Sequence, residues 1–248
     1  STLGSASAIK TYIANYYNTK GLTFVLLVGD AAQIPPSYLG GAASDPSNTY
    51  VVGNDHYPDL FIGRFSAETI AQVETQVLRS VEYERDPQTT AEWYHKGMGV
   101  ASSQGAGTGD DGEADYVHMG NLRALLLDYT YTEVDEIYDP TATATMVTNG
   151  LNAGRSIVNY CGHGSPTSWG TTGFSNTNVN ALVNDNMLPF VFSVACNNGE
   201  FDTYTCFAEA WLKKSNGGAV MTMMSTIHQP WNPPMRGEDY FNDMLIGG

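Results

Sequence analysis

The sequence predicts an α/β protein whose mostly parallel sheets are flanked by helices. Short apolar runs alternate with amphipathic segments of helix length along the chain, the order that lays helices on the faces of a parallel sheet. The apolar runs are continuous, as strands buried on both faces require. Several end at glycine beside a polar or reactive side chain, as in Val28-Gly29-Asp30, Cys161-Gly162-His163 and Ala195-Cys196-Asn197. Strand ends are where open α/β sheets place their sites.

Residues 5–19 carry Ile9, Tyr12, Ile13 and Tyr16 at helical spacing and close near Gly21. Residues 22–28 read as a buried strand. A helix ahead of the first strand predicts that a preceding strand belongs to another piece of the protein. The Gly, Pro, Ser and Asn of residues 31–56 mark a surface loop. After a short strand at 60–63, residues 67–85 form a helix with Ile70, Val73, Val77, Leu78 and Val81 on one face, stopped before Asp86-Pro87. Residues 96–102 are a strand running into an acidic, glycine-rich segment at 104–112. A helix (113–127), a strand (133–138) and a short helix (143–152) follow. The strand at 157–160 delivers His163, a helix spans 176–183, and the strand at 190–194 delivers Cys196. A helix at 206–214 and a strand at 220–224 precede a loop, Trp231-Asn232-Pro233-Pro234-Met235. The break near 86–97 divides the chain into an N-terminal α/β subdomain, 1–97, and a second one, 98–248, carrying the reactive residues.

The length of 248 residues suffices for a sizeable core. With 26 acidic and 11 basic side chains the net charge is −15, which argues against nucleic acid or an anionic membrane as partner and suits an exported protein, basic substrates or bound cations. No apolar run approaches the roughly 20 residues that cross a bilayer. Three cysteines leave at least one thiol free. The chain opens on Ser1 rather than Met, which reads as a processed or trimmed product.

Cys196 and His163 are a thiol and an imidazole at two strand ends, and an imidazole makes thiolate available near neutral pH. Gly164 offers an unobstructed N–H for a developing oxyanion beside that of Cys196. Cys161, closing a strand, and Cys206, opening a helix, read as buried packing residues. His56, His95, His118 and His228 lack such a setting and form no zinc spacing, so catalysis calls for no metal or other cofactor. The residues predict a cysteine hydrolase.

Several segments then carry a resemblance: Phe24-Val-Leu-Leu-Val-Gly-Asp30, Val52-Gly-Asn-Asp-His-Tyr57, Phe61-Ile-Gly-Arg-Phe65, Asn159-Tyr-Cys-Gly-His-Gly164, Leu188-Pro-Phe-Val-Phe192, Val194-Ala-Cys-Asn-Asn-Gly199, Cys206-Phe-Ala-Glu-Ala210 and Pro234-Met-Arg-Gly237. Together they resemble the gingipain family of cysteine endopeptidases, peptidase family C25, and in particular its arginine-specific members. The resemblance implies a caspase-like fold of two side-by-side subdomains, with His163 as general base and acid, Cys196 as nucleophile, and the N–H groups of Gly164 and Cys196 as oxyanion hole. It makes Asp115, in Gly112-Glu113-Ala114-Asp115, the partner of a substrate arginine, or more weakly a lysine, with Trp231 and Met235 completing the pocket. Relatives orient the histidine with an acidic residue where this chain has Gln104; an amide holds the imidazole tautomer without stabilising imidazolium by charge. Structural calcium, export to the cell surface or medium, and a separate N-terminal fragment of the same precursor are further implications. A sortase-like transpeptidase and an inactive binding module of the same fold are the alternatives, the second favoured only by Gln104.

Overall fold

The computed structural model describes residues 4–247. The chain begins with α1 (Ala6–Lys20), β1 (Phe24–Val28), the hairpin strands β2 (Tyr38–Leu39) and β3 (Ala42–Ala43), β4 (Phe61–Phe65) and α2 (Ile70–Arg85). It continues with β5 (Lys96–Ala101), α3 (Asp115–Tyr129), β6 (Glu133–Tyr138), α4 (Ala144–Asn152), β7 (Ile157–Cys161), the hairpin β8 (Gly164–Ser165) and β9 (Ser168–Trp169), and α5 (Asn176–Asn180). The last elements are β10 (Phe190–Val194), α6 (Phe207–Lys213), β11 (Met221–Met224) and α7 (Asn232–Leu245).

A five-stranded sheet in the order β11-β10-β7-β5-β6 is parallel throughout. All five residues of β7 are buried, as a central strand covered on both faces requires. One face packs with Trp169, Phe174, Phe207 and Trp211 around Val158, Tyr160 and Val191; the other packs Met119, Leu122, Cys161, Phe192 and Met235 beneath α3 and α7. β1 and β4 form a separate parallel pair, with Ile9, Ile13, Leu27 and Leu60 as its small core. The expected division between residues 97 and 98 falls inside β5.

Three expectations are corrected. The Trp231–Met235 segment is not a loop: residues 232–245 are α7, opened by prolines whose fixed φ and missing N–H suit a first helical turn. α2 does form, capped by Thr69 and Gln72, but its apolar face is not the buried one. Ile70, Val77, Leu78 and Val81 are exposed while Gln76 and Arg79 are buried. Arg79 decides the docking, because its guanidinium donates to the carbonyls of Trp211, Lys214, Gly217 and Ala219 and so satisfies the end of α6. Phe24, Leu26 and Phe61 are likewise exposed on the β1–β4 pair.

Candidate active site

The register of the central strands brings the site together. Cys161 at the end of β7 pairs with Val194 at the end of β10, and with Ala101 at the end of β5. His163 and Cys196 therefore lie equally far beyond paired positions on adjacent strands, and Gln104 leaves the strand on the opposite side of β7. The loops between them are closely fitted. A side chain at Gly164 would lie 2.7 Å from both Ala195 Cβ and Cys196 O, so only glycine lets the histidine loop lie against the cysteine loop. Asn197, directly after the cysteine, takes φ +58°, a conformation asparagine tolerates. Asn198 is fully buried; it accepts from Ser193 Oγ and donates to the carbonyls of Ser165 and Ser168, at 2.9, 2.6 and 3.1 Å, binding the two loops into one unit.

His163 is fixed through its backbone, whose carbonyl accepts from Tyr160 Oη at 2.6 Å and from Gly170 N at 2.7 Å. Its Nε2 lies 2.7 Å from Gln104 Oε1. A carbonyl oxygen only accepts, so Nε2 carries the proton and Nδ1 is the unprotonated nitrogen. The Cys196 thiol points to the Gln229 carbonyl at 3.8 Å. Cys196 and His163 line one narrow cleft with Val194, Gln229 and Trp231, of about 10 Å³. Cys161 and Cys206 are buried, and burial pushes both thiols far up, so neither offers a thiolate.

Asp115 is the first residue of α3 and is wholly buried. Its backbone N–H donates to Gln104 O at 2.9 Å, so the segment that supports His163 also seats the carboxylate. Oδ2 accepts from Ser102 Oγ, and Oδ1 from Trp231 Nε1 at 2.6 Å. Burial raises the Asp115 carboxyl above the usual aspartate range, against these hydrogen bonds. Met235 is fully buried behind Trp231. Sequence reasoning missed Ser102, which also accepts from Gln104 N at 3.1 Å, and Gln229. Ser102 sits one residue past Ala101, the partner of Cys161, and that strand-end position was its only signal.

The profile of peptidase family C25 matches residues 3–247. The chain belongs to peptidase family C25. It is 42% identical to gingipain R2 of Porphyromonas gingivalis over 248 residues, covering 97% of this chain and 34% of that protein. The crystal structure of the Arg-specific cysteine proteinase gingipain R superposes with a TM-score of 0.93 at 43% identity, over 97% of this chain and 57% of that one. The complex of the pro- and mature domains of P. gingivalis RgpB gives 0.95 at 42%, over 98% and 59%. The chain thus spans about a third of the length of its curated relative and somewhat over half of the solved ones. The helix-flanked, mostly parallel caspase-like architecture expected from the sequence is the one these structures share.

In this C25 chain a second polar cluster lies one turn along α3 from Asp115. His118, on the same face of α3 as Asp115, meets Glu238 of α7 through Nε2 at 3.0 Å. Its Nδ1 faces Glu113 at 3.5 Å and Asp239 at 3.6 Å. Burial pushes the Glu238 carboxyl up to about 7. Asp110, paired with Arg236, joins the group, and one ligand atom each from Asp110, His118 and Asp239 lies within 4.8 Å of the others. A mixed imidazole and carboxylate set fits a borderline divalent ion; for calcium, which takes oxygen ligands, the carboxylates of Asp110 and Asp239 are the members of the group that could donate. Spacing along the sequence gave no hint of this cluster, because α7 supplies half of it from more than a hundred residues away.

Proposed function

We propose that this chain is the catalytic part of a cysteine endopeptidase that hydrolyses peptide bonds after arginine, and less well after lysine. The carrying observation is the common register that sets the loops of His163 and Cys196 side by side, with the buried Asp115 carboxylate, at the start of α3, held by Ser102 just past the end of the neighbouring strand β5. Membership of family C25 and the similarity to an Arg-specific proteinase support it.

In the reaction, His163 Nδ1 takes the Cys196 proton and the thiolate adds to the scissile carbonyl. The N–H groups of Gly164 and Cys196 hold the oxyanion. The imidazolium then protonates the departing amine, leaving a thioester. His163 next removes a proton from water, the hydroxide adds to the thioester, and the proton returns to the sulfur as the carboxylate leaves. Gln104 keeps the imidazole in the productive tautomer, as an amide does in papain-like proteases. Asp115 holds the substrate guanidinium in a two-bond fork, with Trp231 and Met235 shaping the pocket. The chemistry needs no cofactor.

Three further points belong to this proposal. A structural cation, calcium or a borderline metal, is held by the Asp110, His118 and Asp239 group. The exposed Phe24, Leu26, Phe61 and the open face of α2 are covered by a separate fragment of the same precursor, and residues on either side of the break near 86–97 act as two packed subdomains. The protein works outside the cell, secreted or surface-held; no helix of the described residues is long and apolar enough to cross a membrane. Incubation with a peptide containing one arginine and mass analysis of the products tests the activity. A new free carboxylate after arginine is expected; a new amide identifies a transpeptidase, and an intact peptide identifies an inactive module.

A further inference from the structure

The resting pocket is closed by its own wall. Asp115, the group that is to receive a cation, is wholly buried, and both its oxygens already have donors: Ser102 Oγ on Oδ2 and Trp231 Nε1 on Oδ1. A guanidinium fork needs access to both oxygens at once; a carboxylate oxygen accepts more than one donor, so Ser102 can stay while the indole lying against the carboxylate must move. The Gly105 backbone and the Trp231 indole both lie against Oδ1. Gly105 is the fixed one. Its carbonyl accepts from both the backbone N–H and the hydroxyl of Thr108, each at 2.7 Å, and the Gln104 carbonyl is tied to Asp115 N. A side chain at Gly105 would collide with Oδ1, so the loop is already as close as glycine allows. Trp231 is attached differently: its side chain makes a single hydrogen bond, its ring edge meets the His163 ring at a centroid distance of 5.2 Å, and it precedes the proline-bearing first turn of α7. The cleft beside it, about 10 Å³, has room for no more than one water.

We propose that Trp231 is an internal competitor for the substrate cation: its indole N–H occupies Asp115 in the resting enzyme, and a cationic side chain enters by displacing it. The inference rests on the reading of Asp115 as the arginine partner. Closure lowers every cation's apparent affinity by one common factor, the fraction of molecules with the pocket open. The competitor therefore sets the threshold for binding, while Asp115 itself sets the preference for arginine over lysine. Displacement also turns the indole away from the His163 ring, so pocket filling and freedom of the base are linked through one side chain.

The test uses Cys196→Ala protein, which cannot turn over, titrated with Nα-acetyl-arginine amide and Nα-acetyl-lysine amide by calorimetry and by tryptophan fluorescence. Trp93, Trp169 and Trp211 are buried and Trp231 is the partly exposed tryptophan, so it dominates any response to ligand. The expected result is a red-shifted emission on binding. In C196A/W231F both amides bind about tenfold more tightly, the worth of one hydrogen bond to a charged group, with the arginine to lysine ratio unchanged. Unmoved fluorescence, unchanged or weaker binding in the double variant, or a changed ratio makes Trp231 a passive wall and overturns the inference. Failure of the C196A protein to bind either amide overturns the assignment of Asp115 as well.

Discussion

Gln104 Oε1 lies 2.7 Å from His163 Nε2, so the imidazole is oriented by a neutral amide where a carboxylate would also stabilise the imidazolium by charge. Gln104→Glu is therefore expected to raise kcat/KM about tenfold and to extend activity to lower pH, since a charged neighbour favours the thiolate–imidazolium pair. Gln104→Ala lowers it by a similar factor by freeing the ring. Initial rates on an arginyl amide substrate between pH 5 and 9 check both; a Glu variant with the profile of the parent contradicts the role given to Gln104.

Asn198 carries the contacts that hold the histidine and cysteine loops together. Asn198→Ala is expected to cost about 2–3 kcal/mol in urea unfolding, because it strands buried carbonyls and a hydroxyl. Activity should fall further than the lost stability accounts for. A variant as stable and active as the parent contradicts it.

Burial holds the Asp115 carboxyl above the usual aspartate range. With its folded pKa raised, Asp115 adds stability that is full below the ordinary aspartate value and is lost as pH rises through the raised one. Guanidinium binding needs the ionised form and runs the other way, strengthening as pH climbs through the same value. Asp115→Asn should flatten both dependences and weaken arginine amide binding about a hundredfold, the loss of a charge-assisted pair. Calorimetry and thermal unfolding across pH 4 to 8 measure them.

If the cluster of Asp110, His118 and Asp239 holds a structural cation, chelation lowers the melting temperature. Adding back zinc or calcium at about a hundred times its Kd restores roughly 5–10 °C, and Asp239→Asn removes the response. An identical Tm with and without chelator contradicts the site.

The strands and the reactive pair were legible because each is local. Continuous apolar runs marked β5, β7 and β10, and the glycine and asparagine around His163 and Cys196 marked chain reversals at their ends. Gln104, Asp115 and Trp231 were reached through resemblance, and the structure puts them in one hydrogen-bonded neighbourhood with Ser102. What stayed hidden depends on distant partners. The exposed face of α2 looks like a core face in its own sequence, and only the four carbonyls awaiting Arg79 show why the helix docks the other way. His118 looked unremarkable until α7 delivered Glu238 and Asp239 to it. The Trp-Asn-Pro-Pro segment reads as a loop because its prolines break helices everywhere except in the first turn, where they stand.

The most direct measurement is labelling of the protein with arginyl, lysyl and leucyl chloromethylketones at neutral pH under reducing conditions, followed by peptide mapping. Cys161 and Cys206 are buried with raised thiol pKa values, so alkylation at Cys196 reports on the site alone. Rapid modification of Cys196 by the arginyl reagent is predicted, slower by the lysyl, negligible by the leucyl, and none in His163→Ala. No mass added to the Cys196 peptide, or equal labelling by the leucyl reagent, contradicts an arginine-directed Cys196–His163 dyad.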